Sequence, residues 1–106
     1  MDELSGLEAR QYKNMMFDFY GSLLTEKQRE IFTMHYDEDC SLGEISKVAE
    51  VTPQAVADIL KRTNKKLYQY EEKLGLLKKY RFQQELLIEI EPKLNPSIFE
   101  LIKKMI

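Results

Sequence analysis

The chain has 106 residues, which is enough for one domain with a modest hydrophobic core. Hydrophobic residues make up 43% of it and charged residues 32%, the balance of a soluble globular protein rather than a disordered one. It contains no apolar run of about 18 residues, and its first segment, MDELSGLEAR, begins acidic without an apolar core. We therefore expect no membrane span, no signal peptide and a cytoplasmic location.

Residue types that support catalysis or metal binding are scarce. Cys40 is the only cysteine and His35 the only histidine, so the sequence offers neither an intrachain disulfide nor a cysteine metal site, and it has no glycine-rich loop. We therefore predict a protein that is not an enzyme and needs no cofactor. We expect His35 to be a partly buried structural residue, Cys40 a small loop thiol, and the acidic run 37–39 a solvated loop rather than a cation site.

Two helices are predicted in the first third of the chain. The first covers residues 4–22, and its broad apolar stripe consists of Leu7, Tyr12, Met15, Met16, Phe17, Phe19, Tyr20 and Leu23. The second covers residues 26–36, because Thr25 and Gln28 have the spacing of a capping box, in which two side chains bond free backbone N–H groups at a helix start.

The centre of the chain predicts a short helix, a tight turn and a longer helix. Ser41 and Glu44 repeat the capping-box spacing, so a helix should begin at Leu42. Its inward face is predicted to hold Leu42, Ile45 and Ala49, with Val48 at the edge. Thr52 is a suitable N-cap, and Pro53 fits the first position of the longer helix. That helix is predicted to face Ala55, Val56, Ile59, Leu60, Thr63 and Leu67 inward and Gln54, Ala57, Asp58, Lys61, Arg62, Lys65 and Lys66 mostly outward.

This order of elements is typical of a helix-turn-helix, whose second helix is offered to a DNA major groove. On spacing alone a compact helical hairpin explains the pattern equally well, because caps and apolar periodicity specify only helices.

Charge is distributed unevenly along the chain. Residues 25–60 hold eight acidic residues against three basic ones, whereas residues 61–81 hold eight basic residues against two acidic ones. A basic segment that follows a recognition-type helix favours nucleic-acid binding, since phosphate contacts supply most sequence-independent affinity. The alternative is a solvated helix face rich in lysine.

The last third of the chain predicts two more helices. The long helix should stop or kink at Gly75, and a further helical pattern runs to Pro92. Asn95 before Pro96 repeats the cap-then-proline signal for a helix over 96–105. That last helix is apolar almost all round, so it should either dock on the preceding helices or be buried in a second subunit, and we favour the dimer contact. We expect a single all-helical domain over 1–106, a helix-turn-helix module over 25–74 and a C-terminal helical extension over 76–106.

The sequence resembles a known family. Its sigma-factor region 4-like residues are Leu24, Thr25, Lys27, Gln28, Arg29, Ile31, Tyr36, Asp39, Ser41, Leu42, Glu44 and Ile45. The residues that resemble the bacterial YlxM family are Gln54, Ala55, Val56, Asp58, Ile59, Lys61, Arg62, Leu67, Tyr70, Glu71, Lys73 and Leu74. The run FDFY at 17–20, ahead of the leucine pair at 23–24, is similar to that family's N-terminal helix, and the resemblance covers roughly residues 12–80.

This resemblance implies an all-helical DNA-binding-type protein whose gene lies near that of the signal recognition particle GTPase. It also implies a regulatory role in that targeting pathway, through the particle's protein or RNA or through transcription. The alternative that we keep is a protein-interaction module that binds the GTPase without specific DNA binding, since a fold does not fix a function. For that alternative, the acidic residues ahead of the turn would steer a basic partner.

Two departures from the family pattern bear on DNA binding, Glu50 at the turn and Pro53 at the start of the recognition helix. Glu50 stands where related modules have Gly, and because a left-handed conformation would cost energy there, we expect an altered turn. Pro53 stands where the family commonly has an arginine, and the loss of that cation weakens sequence-specific base reading most. Asp58, which matches the family, adds repulsion on the same helix. The predicted nucleic-acid-binding residues are Thr52, Gln54, Ala55, Asp58, Lys61, Arg62, Lys65 and Lys66, with Thr52 and Gln54 near base edges and the four cations on phosphates.

Overall fold

The protein is all-helical, as the sequence predicts. The computed structural model describes residues 6–106, and in that part of the chain there are six α-helices and no strand. The helices are α1 (Gly6–Tyr20), α2 (Glu26–Tyr36), α3 (Leu42–Ala49), α4 (Pro53–Leu74), α5 (Leu76–Ile90) and α6 (Pro96–Met105). Short 3-10 turns cover Gly21–Leu23 and Glu91–Lys93. The predicted helical residues 4 and 5 and the side chain of Leu7 lie outside the described residues.

The predicted helix starts are confirmed by their hydrogen bonds. At α2 the Gln28 amide donates to the Thr25 hydroxyl over 3.1 Å, and the Gln28 side chain accepts from the Thr25 amide over 3.0 Å. At α3 the Ser41 amide donates to the Glu44 carboxylate over 2.7 Å. This bond, followed by that from the Ser41 hydroxyl, lowers the pKa of Glu44. The cap therefore stabilises the fold at neutral pH and is lost as the pH falls through the lowered pKa.

The chain divides into two compact units, one ending at Leu74 and one from Gly75 to Ile106. In the first unit α1, α2 and α3 pack on α4. One core cluster joins Ile31 of α2, Ile45 of α3, and Val56 and Leu60 of α4. The other large buried side chains of this unit are Met16, Tyr20, Leu24, Phe32 and Leu67. The first unit thus has a core to which all four of its helices contribute.

The predicted apolar stripe of α1 is only partly confirmed. Met16 and Tyr20 are fully buried, but Phe19 and Leu23 are exposed. Leu24 takes the inward position instead, because the 3-10 turn after Tyr20 changes the periodicity that the sequence pattern assumed. The Arg29 guanidinium donates to the Leu24 carbonyl over 2.8 Å, which helps to fix this connection.

The second unit buries little of its apolar surface. Gly75, in a left-handed conformation with φ of 62°, separates α4 from α5, and Asn95 caps α6 by accepting from the Ser97 amide over 2.7 Å. Among residues 75–106 the large apolar side chains classed as buried are Leu77 and Phe99. The exposed ones are Leu76, Tyr80, Phe82, Leu86, Ile88, Ile98, Leu101, Met105 and Ile106. The single domain, the module boundaries and the dimer stay predictions.

The loop before α3 is tied to α1 and α4 through polar contacts. Arg10 of α1 donates to the Tyr36 carbonyl over 2.7 Å and pairs with Asp39. The Tyr36 hydroxyl meets the Asn64 amide over 3.1 Å. His35 is half-buried with its Nδ1 3.1 Å from the Cys40 carbonyl, as expected of a structural histidine.

Cys40 is a half-buried thiol in this loop, as predicted. Its partial burial, and then the carboxylates of Glu44, Glu38 and Asp39, raise the pKa of the thiol. A thiol with a raised pKa stays protonated at neutral pH and is a poor nucleophile.

The turn between α3 and α4 is not altered by Glu50, contrary to the expectation from the sequence. Glu50 adopts the left-handed conformation itself, with φ of 58° and ψ of 42°. The Glu50 and Val51 amides both donate to the Ser46 carbonyl, and the Ser46 hydroxyl donates to the Val51 carbonyl over 2.7 Å. These bonds close the end of α3 and offset the cost of a left-handed residue that is not glycine.

Replacing this residue by glycine should therefore stabilise the protein. We expect Glu50→Gly to raise the free energy of unfolding by about 0.5–1 kcal/mol, because relief of a left-handed strain of about 1–2 kcal/mol exceeds the added entropy of the unfolded chain. Urea unfolding followed by circular dichroism measures it. Lys47→Gly, an exposed position inside α3, is the control and should destabilise by about 1 kcal/mol. If the Glu50→Gly protein were no more stable than the wild type, the inferred backbone strain at Glu50 would be wrong.

Candidate nucleic-acid interface

The helices α3 and α4 and the turn between them form a helix-turn-helix. α4 begins at Pro53, and the Ala55 amide donates to the Thr52 hydroxyl over 3.1 Å, which confirms the predicted N-cap. The inward face of α4 is fixed by its buried residues Val56, Leu60, Thr63 and Leu67. Thr63 is buried without cost to its hydroxyl, which donates to the Ile59 carbonyl over 2.7 Å. The opposite face of α4 is therefore free to meet a ligand.

The structure brings six of the eight predicted site residues to the exposed surface of α4 and its cap. They are Thr52, Gln54, Asp58, Lys61, Arg62 and Lys65. Ala55 and Lys66 are half-buried and lie on the same side of the helix, at the border between its exposed face and the core. The exposed residues follow spacings of three and four, so they form one continuous surface, which we call the α4 face. This face offers a hydroxyl, an amide, one carboxylate and three cations.

Asp58 and Arg62 form an ion pair within the α4 face. The Arg62 Nε lies 3.1 Å from an Asp58 carboxylate oxygen, one helical turn away. Both side chains are mostly exposed, so the pair adds little stability but does hold Arg62 near the helix surface. The sequence pattern predicts repulsion of phosphates by Asp58 but not its pairing with Arg62. The i,i+4 spacing of an acid and an arginine was the signal that could have revealed the pair.

An aromatic side chain that is not among the predicted site residues extends the α4 face. Tyr68 is 46% exposed and follows Lys61 and Lys65 at helical spacing. Its ring lies 5.9 Å from that of Tyr12, centroid to centroid, so α1 supports it from one side. A cleft of about 370 Å³ opens beside it, lined by Tyr12, Lys65, Tyr68, Gln69, Glu71 and Glu72. An exposed tyrosine beside a lysine can stack on a base while the cation meets a phosphate.

A second surface of the first unit is acidic and partly apolar. The exposed carboxylates ahead of the turn and in it belong to Asp37, Glu38, Asp39, Glu44 and Glu50. Beside them lies an open groove of about 530 Å³, lined by Phe17, Arg29, Glu30, Thr33, Met34, Glu38 and Val48. Val48 is 70% exposed, which corrects its predicted place at the edge of the buried face of α3. This surface has the opposite charge from most of the α4 face.

Residues 6–106 contain neither a cluster of metal-binding side chains nor a helix that could span a membrane. No group of three histidine, cysteine, aspartate or glutamate side chains in this range is placed to hold a metal ion. No helix in the described range is long and apolar enough to cross a membrane.

Fold and surface together define a helix-turn-helix protein with a mainly cationic recognition-type helix. A family model described as "Putative helix-turn-helix protein, YlxM / p13 like" matches residues 7–105. The chain belongs to this family, UPF0122, which confirms the resemblance to the YlxM family. The family is described as a helix-turn-helix family and not as a family of enzymes.

Relatives with the same family name cover most of the chain. A UPF0122 protein of Clostridium perfringens is 43% identical over 104 residues, which are 94% of this chain and 91% of the relative. One of Caldanaerobacter subterraneus is 52% identical over 80 residues, covering 76% of this chain and 66% of the relative. One of Listeria welshimeri is 48% identical over 86 residues, covering 81% and 78%.

Proposed function

We propose that the protein binds duplex nucleic acid through the α4 face. The observation that carries this proposal is the two-sided character of α4, in which Val56, Leu60, Thr63 and Leu67 are buried while a hydroxyl, an amide and three cations are exposed. The long side chains of lysine and arginine reach phosphate oxygens, and residues at the start of a recognition helix contact base edges. Thr52 and Gln54 lie at that start, and a Gln side chain can bond adenine through two hydrogen bonds.

The charges on the α4 face support backbone binding more than base reading. Lys61, Arg62 and Lys65 supply three cations, whereas Pro53 at the first helical position offers no polar side chain. Affinity should therefore depend steeply on salt and weakly on sequence. The homodimer predicted from the sequence would present two copies of α4 and favour half-sites spaced by about 34 Å or a multiple of it.

The proposed biological role is regulation of the signal recognition particle pathway in the cytoplasm. What supports it is the resemblance to the YlxM family, whose members are implicated in that pathway. The particle's RNA is then a candidate ligand beside DNA, since both present a phosphate backbone to the same cations.

A fluorescence-anisotropy titration tests the nucleic-acid proposal. Purified protein is titrated into labelled mixed-sequence duplex DNA and into the particle's RNA, at low salt and near physiological salt. Binding to either nucleic acid that persists at physiological salt supports the proposal and identifies the ligand. Absence of binding to both even at low salt overturns it.

Removal of the carboxylate from the α4 face should strengthen binding. Asp58→Asn removes a negative charge that faces the phosphates and releases Arg62 from its 3.1 Å ion pair. We expect about threefold to tenfold higher affinity and a salt slope steeper by about one, as Arg62 gains a phosphate contact. Anisotropy over a salt series measures both. Glu26→Gln, which removes an exposed carboxylate from α2, is the control. Equal effects in the two variants would show that only net charge matters.

The second candidate function is binding of the signal recognition particle GTPase by the groove between α1, α2 and α3. The groove has an apolar lining from Phe17, Met34 and Val48, and Glu30 and Glu38 lie at the same site. An apolar surface with acidic residues around it fits a basic amphipathic helix of a protein partner. A complex with the purified GTPase that survives raised salt and is lost in Val48→Lys, with no binding to DNA, would favour this function over the first.

A further inference from the structure

The helix α5 carries an exposed row of four residues whose order of charge is suited to pairing with itself. Lys79, Phe82, Leu86 and Glu89 are spaced by three, four and three residues, so they lie along one side of the helix. All four are exposed, Phe82 by 64% and Leu86 by 42%. We call this row the α5 ridge. It has a cation at its first end, two apolar side chains in its middle and a carboxylate at its last end.

We propose that the α5 ridge is a homodimer interface in which the α5 helices of two copies pack antiparallel about a two-fold axis near residue 84. In this arrangement Phe82 of one copy meets Leu86 of the other, and Leu86 meets Phe82, as an isologous interface requires. The same axis places Lys79 of each copy beside Glu89 of the other, so the interface contains two such ion pairs. An identical ridge on the second copy therefore covers the apolar side chains at the centre and pairs the charged side chains at both ends.

A second copy fits the ridge better than a membrane surface does. A helix that lies on an anionic membrane carries basic residues on its polar side. Here Glu85 and Glu89 lie along that side of α5, together with Lys78, and the mixture of signs favours a protein surface of the same mixture. The sparsely buried second unit also gains most from a second copy, since a unit of this size rarely supports a complete core alone.

The size of the ridge sets the expected strength of the dimer. A helix of 15 residues is about 22 Å long, and two apolar side chains per copy bury less than the roughly 800 Å² per partner of a standard interface. We expect a dissociation constant on the order of micromolar. This inference goes beyond the proposed function, because it does not depend on nucleic acid.

Charge reversal at the ridge ends tests the interface by sedimentation velocity without nucleic acid. Lys79→Glu and Glu89→Lys should each weaken the dimer about tenfold or more, since each places like charges together twice. The double variant Lys79→Glu/Glu89→Lys restores opposite charges and should recover the wild-type dimer. Lys27→Glu, a reversal of an exposed cation on α2, is the matched control and should leave the dimer unchanged. Circular dichroism of each variant verifies that the helices remain.

Three outcomes overturn the proposal. The first is a wild-type chain that stays monomeric at about 100 μM, roughly a hundred times the expected dissociation constant. The second is a dimer that neither single reversal weakens. The third is weakening in both single variants without recovery in the double variant, which excludes the antiparallel pairing of Lys79 with Glu89.

Discussion

Removing Lys61 and Lys65 together is expected to weaken nucleic-acid binding about 30-fold at 0.15 M salt, with an equal loss on every duplex sequence. Both lysines lie on the exposed side of α4, one turn apart, and no ion pair to either is present in the part of the chain that the structure describes. Each lysine that neutralises a phosphate releases counterions, so the double variant Lys61→Ala/Lys65→Ala should also lower the slope of log affinity against log salt by about two. Anisotropy over a salt series gives both quantities.

A matched pair of lysines away from α4 separates contact from net charge. Lys27 of α2 and Lys104 of α6 are exposed and lie outside the α4 face. The control variant Lys27→Ala/Lys104→Ala has the same total charge as the test variant, and we expect its salt slope to stay within about half a unit of the wild-type slope. If the slope of log affinity against log salt were unchanged in Lys61→Ala/Lys65→Ala, these lysines would not contact phosphates and the proposed binding through the α4 face would be wrong.

Truncating Ile45 is expected to cost about 2–4 kcal/mol of unfolding free energy, the largest stability effect that we predict for a single residue. Ile45 is fully buried and belongs to the cluster with Ile31, Val56 and Leu60. It is the buried residue through which α3 is held against α4, so Ile45→Ala leaves a cavity where the helix-turn-helix is joined. Urea unfolding measures the loss.

Val48, on the same helix, is the control for Ile45. Its side chain is 70% exposed, so Val48→Ala removes little buried surface and should change the unfolding free energy by less than about 0.5 kcal/mol. A loss below about 1 kcal/mol in Ile45→Ala would contradict the packing of α3 on α4.

The sequence predicted the helices with few errors because their ends are local features. Capping boxes at Thr25 and Ser41, the Thr52 cap before Pro53 and the left-handed Gly75 depend on residues within a few positions of one another. The exposed side of α4 was predictable from the period of 3.6 in its apolar residues, because that pattern is also local. The functions of the α4 face and of the α5 ridge stay proposals, because a fold does not fix what a surface binds.

Other features were decided by the tertiary structure. Phe19 and Val48 lie on apolar patterns and are nevertheless exposed, because periodicity gives the face of a helix but not how far its partner covers it. The pairing of Arg10 with Asp39 joins positions 29 residues apart, which no local pattern reports. Glu50 is the clearest case: its own conformational preference opposes a left-handed turn, but bonds to Ser46 and the packing of Ile45 on α4 hold the turn in place. Local chemistry thus determined where helices begin and end, and packing determined which side chains are left for a partner.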